Sequence, residues 1–319
     1  MLFNDEGQLA GIVRSERNIA HRLIEEFMLL ANETVAKHLE NLGVPSLYRI
    51  HEEPSPVKVE EFAEIARSFG HKFSMHGPLP QRGFQHLLHQ IQGSAEERML
   101  SSLMLQPMER ARYSPKNGGH FGLAMQTYTH FTSPIRRYPD LIVHRILREV
   151  IERGKRGQDE WQEIDLGSKQ ALKLISWPVF DEEREIEIRR LLEPIADHSS
   201  ERERVADTAE RELMDWRKAD SMAERVGEEF DGVISSIRDY WFYVELNEFF
   251  VEGLVHISTL TDDFYEYQER KHRLVGVRTG REFFLADAVR VLVDRVDRGR
   301  NLIDFSVAET GKVGKARRL

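Results

Sequence analysis

The apolar pattern of the chain changes its period at Gly227, and this change limits the folds that the chain can adopt. Before that glycine, segments such as 21–40 repeat apolar residues about every 3.6 positions, which is typical of amphipathic helices. After it, apolar and polar residues alternate in short runs, which is typical of half-buried strands. The sequence therefore predicts an α+β protein. Its expected parts are a mixed α/β portion over residues 1–225, a β domain over 226–310 and a basic tail over 311–319.

Composition excludes several classes of protein. Of the 319 residues, 40% are hydrophobic and 31% are charged, as in a globular rather than a disordered chain. No run reaches the ~18 apolar residues of a membrane span, so no membrane partner is expected. Cysteine is absent, which excludes disulfides and thiolate metal sites and is compatible with a cytoplasmic location. A formal net charge of -9 argues against non-specific coating of nucleic acid, so any such contact must be local.

Two adjacent arginines, Arg136 and Arg137, lie on a turn between two prolines, directly before a predicted helix. Pro134 and Pro139 restrict the backbone on either side of them, and Asp140 is placed to cap the helix. A planar, permanently charged guanidinium on a stiff turn suits bidentate contact with a phosphate. The alternative is that both arginines pair with the abundant carboxylates of the chain. The residues alone leave both interpretations open.

Other patterns predict where further elements begin and end. The run 121–125 is predicted to be a buried strand from which the arginine turn departs. A helix is predicted around residues 58–69. A second long helix is predicted to open at Ser200, where Ser200 and Glu203 fit a capping box, and to run to about Arg225. Its expected apolar stripe consists of Val205, Ala209, Leu213, Trp216, Ala219 and Ala223.

The run from Thr132 to Leu141, TSPIRRYPDL, resembles a motif of the RNB catalytic domain found in exoribonucleases of the RNase II and RNase R type, with the RNase R type the more similar. Further segments agree in the same order, namely AHRLIEEFMLLAN at 20–32, LYRIHE at 47–52 and AER at 209–211. The resemblance implies the C-terminal portion of a mixed α/β RNB domain. The activity that the resemblance implies is that of a processive 3′-to-5′ exoribonuclease, which hydrolyses single-stranded RNA to 5′-mononucleotides.

The resemblance implies roles for individual residues. Arg136 would be catalytic, because it would stabilise the charge that develops on the phosphoryl oxygens. Glu210 would be a second catalytic residue in contact with the terminal nucleotides, and Arg137 and Glu26 would bind RNA. The residues alone favour a solvated acid on a helix face for Glu26. For Glu210 they suit a structural surface salt bridge as well as a carboxylate that faces a partner.

The aspartate motif with which the RNB family binds its catalytic Mg²⁺ is not found in this chain. Its single Asp-Asp pair, Asp262-Asp263, lies in the strand-rich part. Mg²⁺ is therefore expected for the full-length family enzyme, with no ligand cluster here. Two hypotheses follow. Either the chain is part of an exoribonuclease that needs the missing N-terminal half as a partner, or it is a non-catalytic protein that binds single-stranded RNA.

The strand-rich part resembles an S1-type OB-fold barrel of five strands. The predicted strands are 230–237, 240–246, 251–258, 289–294 and 302–307. Such barrels stack bases on aromatic side chains, and Tyr240, Tyr243 and His256 occupy the positions at which the S1 family presents its RNA-binding platform. A regular strand would place Tyr240 and Tyr243 on opposite faces. A twist or bulge at Trp241 is therefore expected. Many members carry a small residue at this position, so the indole would either enlarge the platform or alter the loop.

Overall fold

The computed structural model describes residues 2–3, 9–11, 18–74, 81–94, 96–153, 179–249, 251–268 and 273–308. The chain divides into two compact units, which we call the turn unit, formed by 16–56 and 108–207, and the barrel unit, formed by 1–15, 57–107 and 208–319. The basic tail expected at 311–319 lies outside the described residues. The domain boundary at residue 225 stays a prediction.

The described residues form helices and strands that we number in chain order. The helices are α1 (Ile19–Asn41), α2 (Pro56–Ser68), α3 (Gln81–Ile91), α4 (Glu97–Leu103), α5 (Tyr138–Arg153) and α6 (Glu182–Ala223). The strands are β1 (Leu2–Phe3), β2 (Leu9–Gly11), β3 (Tyr48–Ile50), β4 (Arg112–Ser114), β5 (Glu229–Ile237), β6 (Trp241–Leu246), β7 (Glu252–His256), β8 (Tyr265–Gln268), β9 (Arg273–Gly276), β10 (Glu282–Phe284), β11 (Ala288–Asp297) and β12 (Leu302–Val307).

The helix predicted at 21–40 is confirmed as α1, and its end has an identifiable cause. Gly43 adopts φ 68°, so its N–H reaches the carbonyl of Glu40 at 2.9 Å and the N–H of Val44 reaches that of Leu39 at 3.2 Å. This is the Schellman arrangement, which satisfies carbonyls that a helix end leaves unpaired. The helix predicted at 58–69 is confirmed as α2.

One apolar core stabilises the turn unit. The last turns of α1 pack with one face of α5 and with the first half of α6, and the antiparallel pair β3–β4 borders them. The fully or nearly fully buried members are Leu39, Leu42, Leu47, Val143, Val150, Phe180, Leu192 and Ala196. Burial of this apolar area positions α5, whose first turn follows the arginine turn directly.

The strand predicted at 121–125 is wrong. Phe121–Leu123 form a 3₁₀ turn, which ends at Ala124 with φ 53°. This segment folds around the side chain of His51, because the N–H of Gly122 donates to His51 Nδ1 at 2.9 Å. A Cβ on Gly122 would lie 2.7 Å from the same nitrogen, so the close approach requires glycine.

The start predicted for the second long helix is also wrong, because α6 begins at Glu182. Asp181 caps it, since its Oδ1 accepts the N–H of Arg184 at 2.8 Å. Ser200 lies inside the helix, where its Oγ donates to the carbonyl of Ala196 at 2.8 Å and accepts the N–H of Tyr113 at 3.0 Å. Ser200 therefore joins α6 to β4 and caps nothing.

The apolar stripe predicted for that helix is only partly buried. Ala219 is fully buried, whereas Val205, Leu213 and Trp216 are 50%, 57% and 40% exposed. The 3.6-residue period correctly predicts a helix. It does not predict which residues of the apolar stripe are buried in a core.

The barrel unit contains a closed barrel with the strand order β11-β12-β7-β6-β5. All neighbouring pairs are antiparallel except β12 and β7, which are parallel, as in an OB fold. The five predicted strands are confirmed, and the sheet formed by β8, β9 and β10 was not predicted. The barrel interior is filled by Ile234, Phe242, Val244, Val255, Val291, Val293 and Phe305, each at most 1% exposed.

Candidate nucleic-acid interface

Hydrogen bonds to Asp140 of α5 fix the arginine turn, residues 133–137. The N–H of Ser133 donates to Oδ2 of Asp140 at 2.8 Å, and the N–H of Arg137 donates to the carbonyl of Ser133 at 3.0 Å. Asp140 is fully buried. The expectation that Asp140 caps the helix is wrong in detail, because α5 begins two residues earlier, at Tyr138. Its carboxylate holds the start of the turn instead.

The two arginines of the turn differ in their surroundings. Arg137 donates from Nη2 to Oδ2 of Asp140 at 2.8 Å, so the pairing interpretation applies to it. Arg136 is exposed, next to a fully exposed Ile135, and no carboxylate among the described residues forms an ion pair with it. The Arg136 guanidinium therefore points outward from the turn, whereas the Arg137 guanidinium anchors the turn to Asp140 of α5. The RNA contact assigned to Arg137 stays a prediction.

Asn32 on α1 supports the segment that leads into the turn. Its Nδ2 donates to the hydroxyl of Tyr128 at 2.9 Å, and its Oδ1 accepts the N–H groups of Phe131 and Thr132 at 2.9 and 3.2 Å. The residue is 2% exposed. Sequence reasoning missed this role, although an amide within the apolar half of a predicted helix was the available signal.

His144 on α5 supports the same segment from the other side. Its Nε2 hydrogen-bonds the carbonyl of Phe131 at 2.8 Å, and the two rings stack with centroids 3.9 Å apart and planes 8° apart. His144 thus positions Phe131, two residues before Ser133.

A chain of aromatic and histidine rings lies beneath the segment. The Tyr113 hydroxyl is 2.9 Å from Nδ1 of His130. Burial raises the pKa of Tyr113 to about 12, and burial together with the positive charge of Arg137 lowers the pKa of His130 to about 3. Burial also lowers the pKa of His120 to about 4. Near neutral pH both groups are therefore uncharged, and the contact is a hydrogen bond between a neutral hydroxyl and a neutral imidazole.

The two predicted acidic residues lie in different units. Glu26 is exposed on α1 of the turn unit, and Glu210 is exposed on the part of α6 that belongs to the barrel unit. Both side chains are accessible to a ligand, and both are equally accessible to solvent. Their roles stay predictions.

The N-terminal half of α1 carries an apolar face that the described residues leave exposed. The side chains of Leu23, Ile24, Phe27 and Leu30 are 55–59% exposed, whereas Ala36 and Leu39 further along the helix are buried. The stripe predicted over 21–40 is thus buried only toward its C-terminal end. An exposed face of this size marks a surface that a partner would cover.

The outer face of the barrel presents aromatic side chains. In β6, Trp241 and Tyr243 alternate with the fully buried Phe242 and Val244, so both rings lie on the outer face. Tyr240 precedes the strand and is 61% exposed. The bulge expected at Trp241 is not present, since β6 pairs with β7 in regular register from Trp241 onward. The register shift in this part of the barrel lies in β5, between Ile234 and Ser236.

His256 on β7 is exposed and lies opposite Trp241. It therefore belongs to the same outer face as Trp241 and Tyr243. The RNA contacts predicted for Tyr240, Tyr243 and His256 stay predictions. The sequence left open whether Trp241 enlarges the platform or alters the loop, and its place on the outer face favours the first.

The described residues do not fit a Mg²⁺ site. No group of three or more His, Asp or Glu side chains in that part of the chain could hold a metal ion. The Asp-Asp pair serves structural contacts, because Asp262 pairs with Arg281 at 2.9 Å and Asp263 accepts the N–H of Arg278 at 2.9 Å. Within the same part of the chain, no helix combines the length and the apolarity needed to span a membrane.

Comparisons with known proteins agree with this architecture. Residues 1–153 match the RNB domain family, and residues 224–308 match the S1 RNA binding domain family. Ribonuclease R of Aquifex aeolicus (strain VF5) is 44% identical over 309 residues, which cover 97% of this chain and 40% of that protein. Over nearly its whole length the chain is thus similar to a Ribonuclease R, and its first 153 residues match the RNB domain family.

Other relatives give the same result. Ribonuclease R 1 of Lactococcus lactis is 42% identical over 306 residues, which cover 96% of this chain and 34% of that protein. The chain thus spans 40% or less of the length of these two relatives. The solved structure of Mycoplasma genitalium RNase R in complex with ribose methylated single-stranded RNA matches with a TM-score of 0.80 at 24% identity, over 96% of this chain and 44% of that chain. That likeness shows the fold.

Proposed function

We propose that this chain is the RNA-contacting part of an RNase R-like 3′-to-5′ exoribonuclease, with Arg136 at the reacting phosphate and the barrel as an RNA-capturing domain. The observation that carries the proposal is the pair of arginines on one turn. Asp140 holds Arg137 and Ser133 from below, and Arg136 faces outward without a carboxylate partner among the described residues. A guanidinium presented in this way matches the geometry of phosphate recognition.

The proposed contribution of Arg136 is electrostatic. When a nucleophile attacks a phosphodiester in line, negative charge develops on the non-bridging oxygens, and a positioned guanidinium stabilises that charge. RNB enzymes depend on divalent metal, which activates the attacking water in such reactions. The described residues do not fit the metal, so the proposal assigns them the binding of RNA and the stabilisation of charge.

We infer that the partner of the turn unit is the remainder of an RNB domain. The apolar face formed by Leu23, Ile24, Phe27 and Leu30 lies inside the RNB match, and the chain spans 40% or less of its Ribonuclease R relatives. Full burial of a large apolar side chain contributes about 1.5–3 kcal/mol, and these four are 55–59% exposed, so covering them would contribute roughly half of that each. A complementing fragment should therefore bind here and cover this face.

The second candidate function is non-catalytic binding of single-stranded RNA. Two observations favour it. The described residues contain no group able to hold a metal ion. A structure described as yeast Ssd1, a pseudonuclease, shares the fold with a TM-score of 0.53 at 24% identity, over 81% of this chain and 29% of that chain.

One experiment separates the two candidates. The purified chain is incubated with Mg²⁺ and uniformly labelled single-stranded RNA, alone and with a polypeptide that carries the remaining RNB residues of the Aquifex aeolicus relative. We expect no mononucleotides from the chain alone and their release from the mixture. RNA binding without release in the mixture would support the non-catalytic function. Release by the chain alone that a chelator abolishes would contradict the proposed division of roles.

A further inference from the structure

We propose that Trp241 and His256 form an additional base-binding position on the barrel and that this position prefers purines. The inference rests on the proposed RNA-binding function of the barrel. It adds Trp241 to the predicted contacts Tyr240, Tyr243 and His256, and it assigns Trp241 and His256 together to one base.

The register of the barrel places the two residues together. Trp241 on β6 lies directly opposite His256 on β7, and directly opposite residues of an antiparallel pair have Cβ atoms about 4.5–5.5 Å apart. Phe242, the next residue along β6, is fully buried, so Trp241 points to the outer face. The next pair on that face is Tyr243 and Leu254. An aromatic strip therefore runs along β6 with His256 beside its first ring.

The indole is not needed to fill the barrel. Its interior is occupied by Phe242, Val244, Val255 and Phe305, each at most 1% exposed. Trp241 is 36% exposed. A large, partly exposed ring outside a filled core offers a flat apolar surface on which a base can stack.

The hydrogen bonds of His256 orient its ring. Its Nδ1 accepts the backbone N–H of Ser258 at 3.2 Å and lies 2.7 Å from Oγ of the same residue. Because Nδ1 accepts, the neutral ring carries its proton on Nε2. His256 thus has a donor for a ring nitrogen, a carbonyl oxygen or a phosphate of RNA beside the Trp241 ring.

Charge along the same face indicates which end holds the RNA. On the same face, the pair after Tyr243 and Leu254 is Glu245 of β6 opposite Glu252 of β7. Four residues of strand separate the two ends by about 13 Å. The acidic pair disfavours phosphate at its own end, so the strand of RNA should cross the face at Trp241 and His256. Purines overlap an indole over more area than pyrimidines do, and differences in stacking strength give such sites their modest base preference.

The test measures binding of fluorescein-labelled A8 and U8 oligoribonucleotides to the full chain and to variants by anisotropy. The parent should bind A8 more tightly than U8. Trp241→Val, which keeps a residue that favours strands, should weaken A8 binding about 5- to 150-fold and abolish the preference, the range that stacking of one base supplies. Trp241→Tyr should retain most of the binding.

The matched control is Trp216→Leu. Trp216 is exposed to a similar degree, 40%, but lies on α6 outside the barrel, so its variant should bind as the parent does. Equal binding of A8 by Trp241→Val and the parent would overturn the inference and leave barrel binding in place. A parent that binds neither oligomer would instead overturn the proposed function as well.

A second measurement covers the case in which Trp241→Val fails to fold. The parent is labelled with 5-fluorotryptophan, and the ¹⁹F resonance of Trp241 is assigned by its loss in Trp241→Tyr. We expect that resonance to shift on titration with A8. A Trp241 resonance that does not move at saturating A8 would overturn the inference.

Discussion

The amide Nδ2 of Asn32 lies 2.9 Å from the hydroxyl of Tyr128, a residue 96 positions further along the chain. The same buried side chain accepts the backbone N–H groups of Phe131 and Thr132. One amide on α1 thus sets the path of the backbone into the turn that presents Arg136. The first helix of the turn unit is therefore part of the support of the phosphate-facing turn.

We expect Asn32→Ala to destabilise the turn unit. The change leaves two backbone N–H groups without their acceptor, and each buried group left unpaired costs about 1–3 kcal/mol. Urea denaturation followed by circular dichroism measures the free energy of unfolding. The matched control is Thr34→Ala, an exposed position on the same helix, where a change within about 0.5 kcal/mol is expected. Equal effects of the two changes would mean that the Asn32 contacts contribute nothing to stability.

Acidification should destabilise the turn unit through its buried histidines. The folded-state pKa values of His130, about 3, and His120, about 4, lie below the ordinary histidine pKa of 6.5. Between those values the unfolded chain binds more protons than the folded chain, so stability rises with pH in this window. Their contribution is complete above about pH 6.5 and is lost as the pH falls toward 4. Thermal melts at pH 7.5, 5.5 and 4.5 should show a falling melting temperature.

The double variant Tyr113→Phe/His130→Phe isolates this effect. It removes the titrating imidazole together with the hydroxyl that forms a hydrogen bond with it, so neither partner of this bond is left unpaired. We expect a smaller loss of melting temperature between pH 7.5 and 4.5 than in the parent. His86→Asn on α3, an exposed histidine, is the control and should behave like the parent. An unchanged pH dependence in the double variant would assign the acid sensitivity to other groups.

The elements that the sequence predicted correctly depend on local patterns. The five barrel strands follow from alternation within each strand, and the end of α1 follows from Gly43. The run 121–125 was mispredicted because its conformation depends on His51, about 70 residues earlier in the chain, which no local pattern reports. Ser200 fits a capping box locally, yet the helix already begins behind Asp181.

At the candidate site, too, local features were predictable from sequence and long-range contacts were not. The proline-flanked arginines were evident from sequence, but the different surroundings of Arg136 and Arg137 depend on the buried carboxylate of Asp140. Asn32 acts through residues about 100 positions away, and the pairing of Trp241 with His256 depends on strand register. Such long-range relationships require the folded chain.

We expect Gly253→Ala to destabilise the barrel. A Cβ at this position would lie 2.6 Å from Cδ2 and Cζ of Phe305, which is 1% exposed and cannot move without opening the core. Overpacking of this kind typically costs about 1–3 kcal/mol. The matched control is Gly299→Ala in the turn after β11, where the nearest atom would be Oδ1 of Asp297 at 3.4 Å. Thermal unfolding should separate the two variants, and equal melting temperatures would show that Phe305 yields at little cost.

The last prediction concerns Arg136 in the complemented enzyme. If Arg136 stabilises charge that develops only during the reaction, Arg136→Ala should lower kcat far more than it raises KM. Arg136→Lys should recover only part of the activity, because an ammonium cannot make the bidentate contact of a guanidinium. Single-turnover release of mononucleotides from single-stranded RNA measures the reaction, and anisotropy measures binding.

The matched control for this prediction is Arg148→Ala. Arg148 lies on α5, is 80% exposed in its side chain and pairs with Glu152 at 2.7 Å, so its removal should leave both parameters within about twofold of the parent. A change of Arg136 that weakens RNA binding and turnover by the same factor would reassign the residue from charge stabilisation to substrate binding. Equal effects of the two arginine changes would indicate that net charge, and not the geometry of the turn, determines the result. The pairing of Arg137 with buried Asp140 makes Arg137→Ala unsuitable as the control, because that change would also leave a buried carboxylate unpaired.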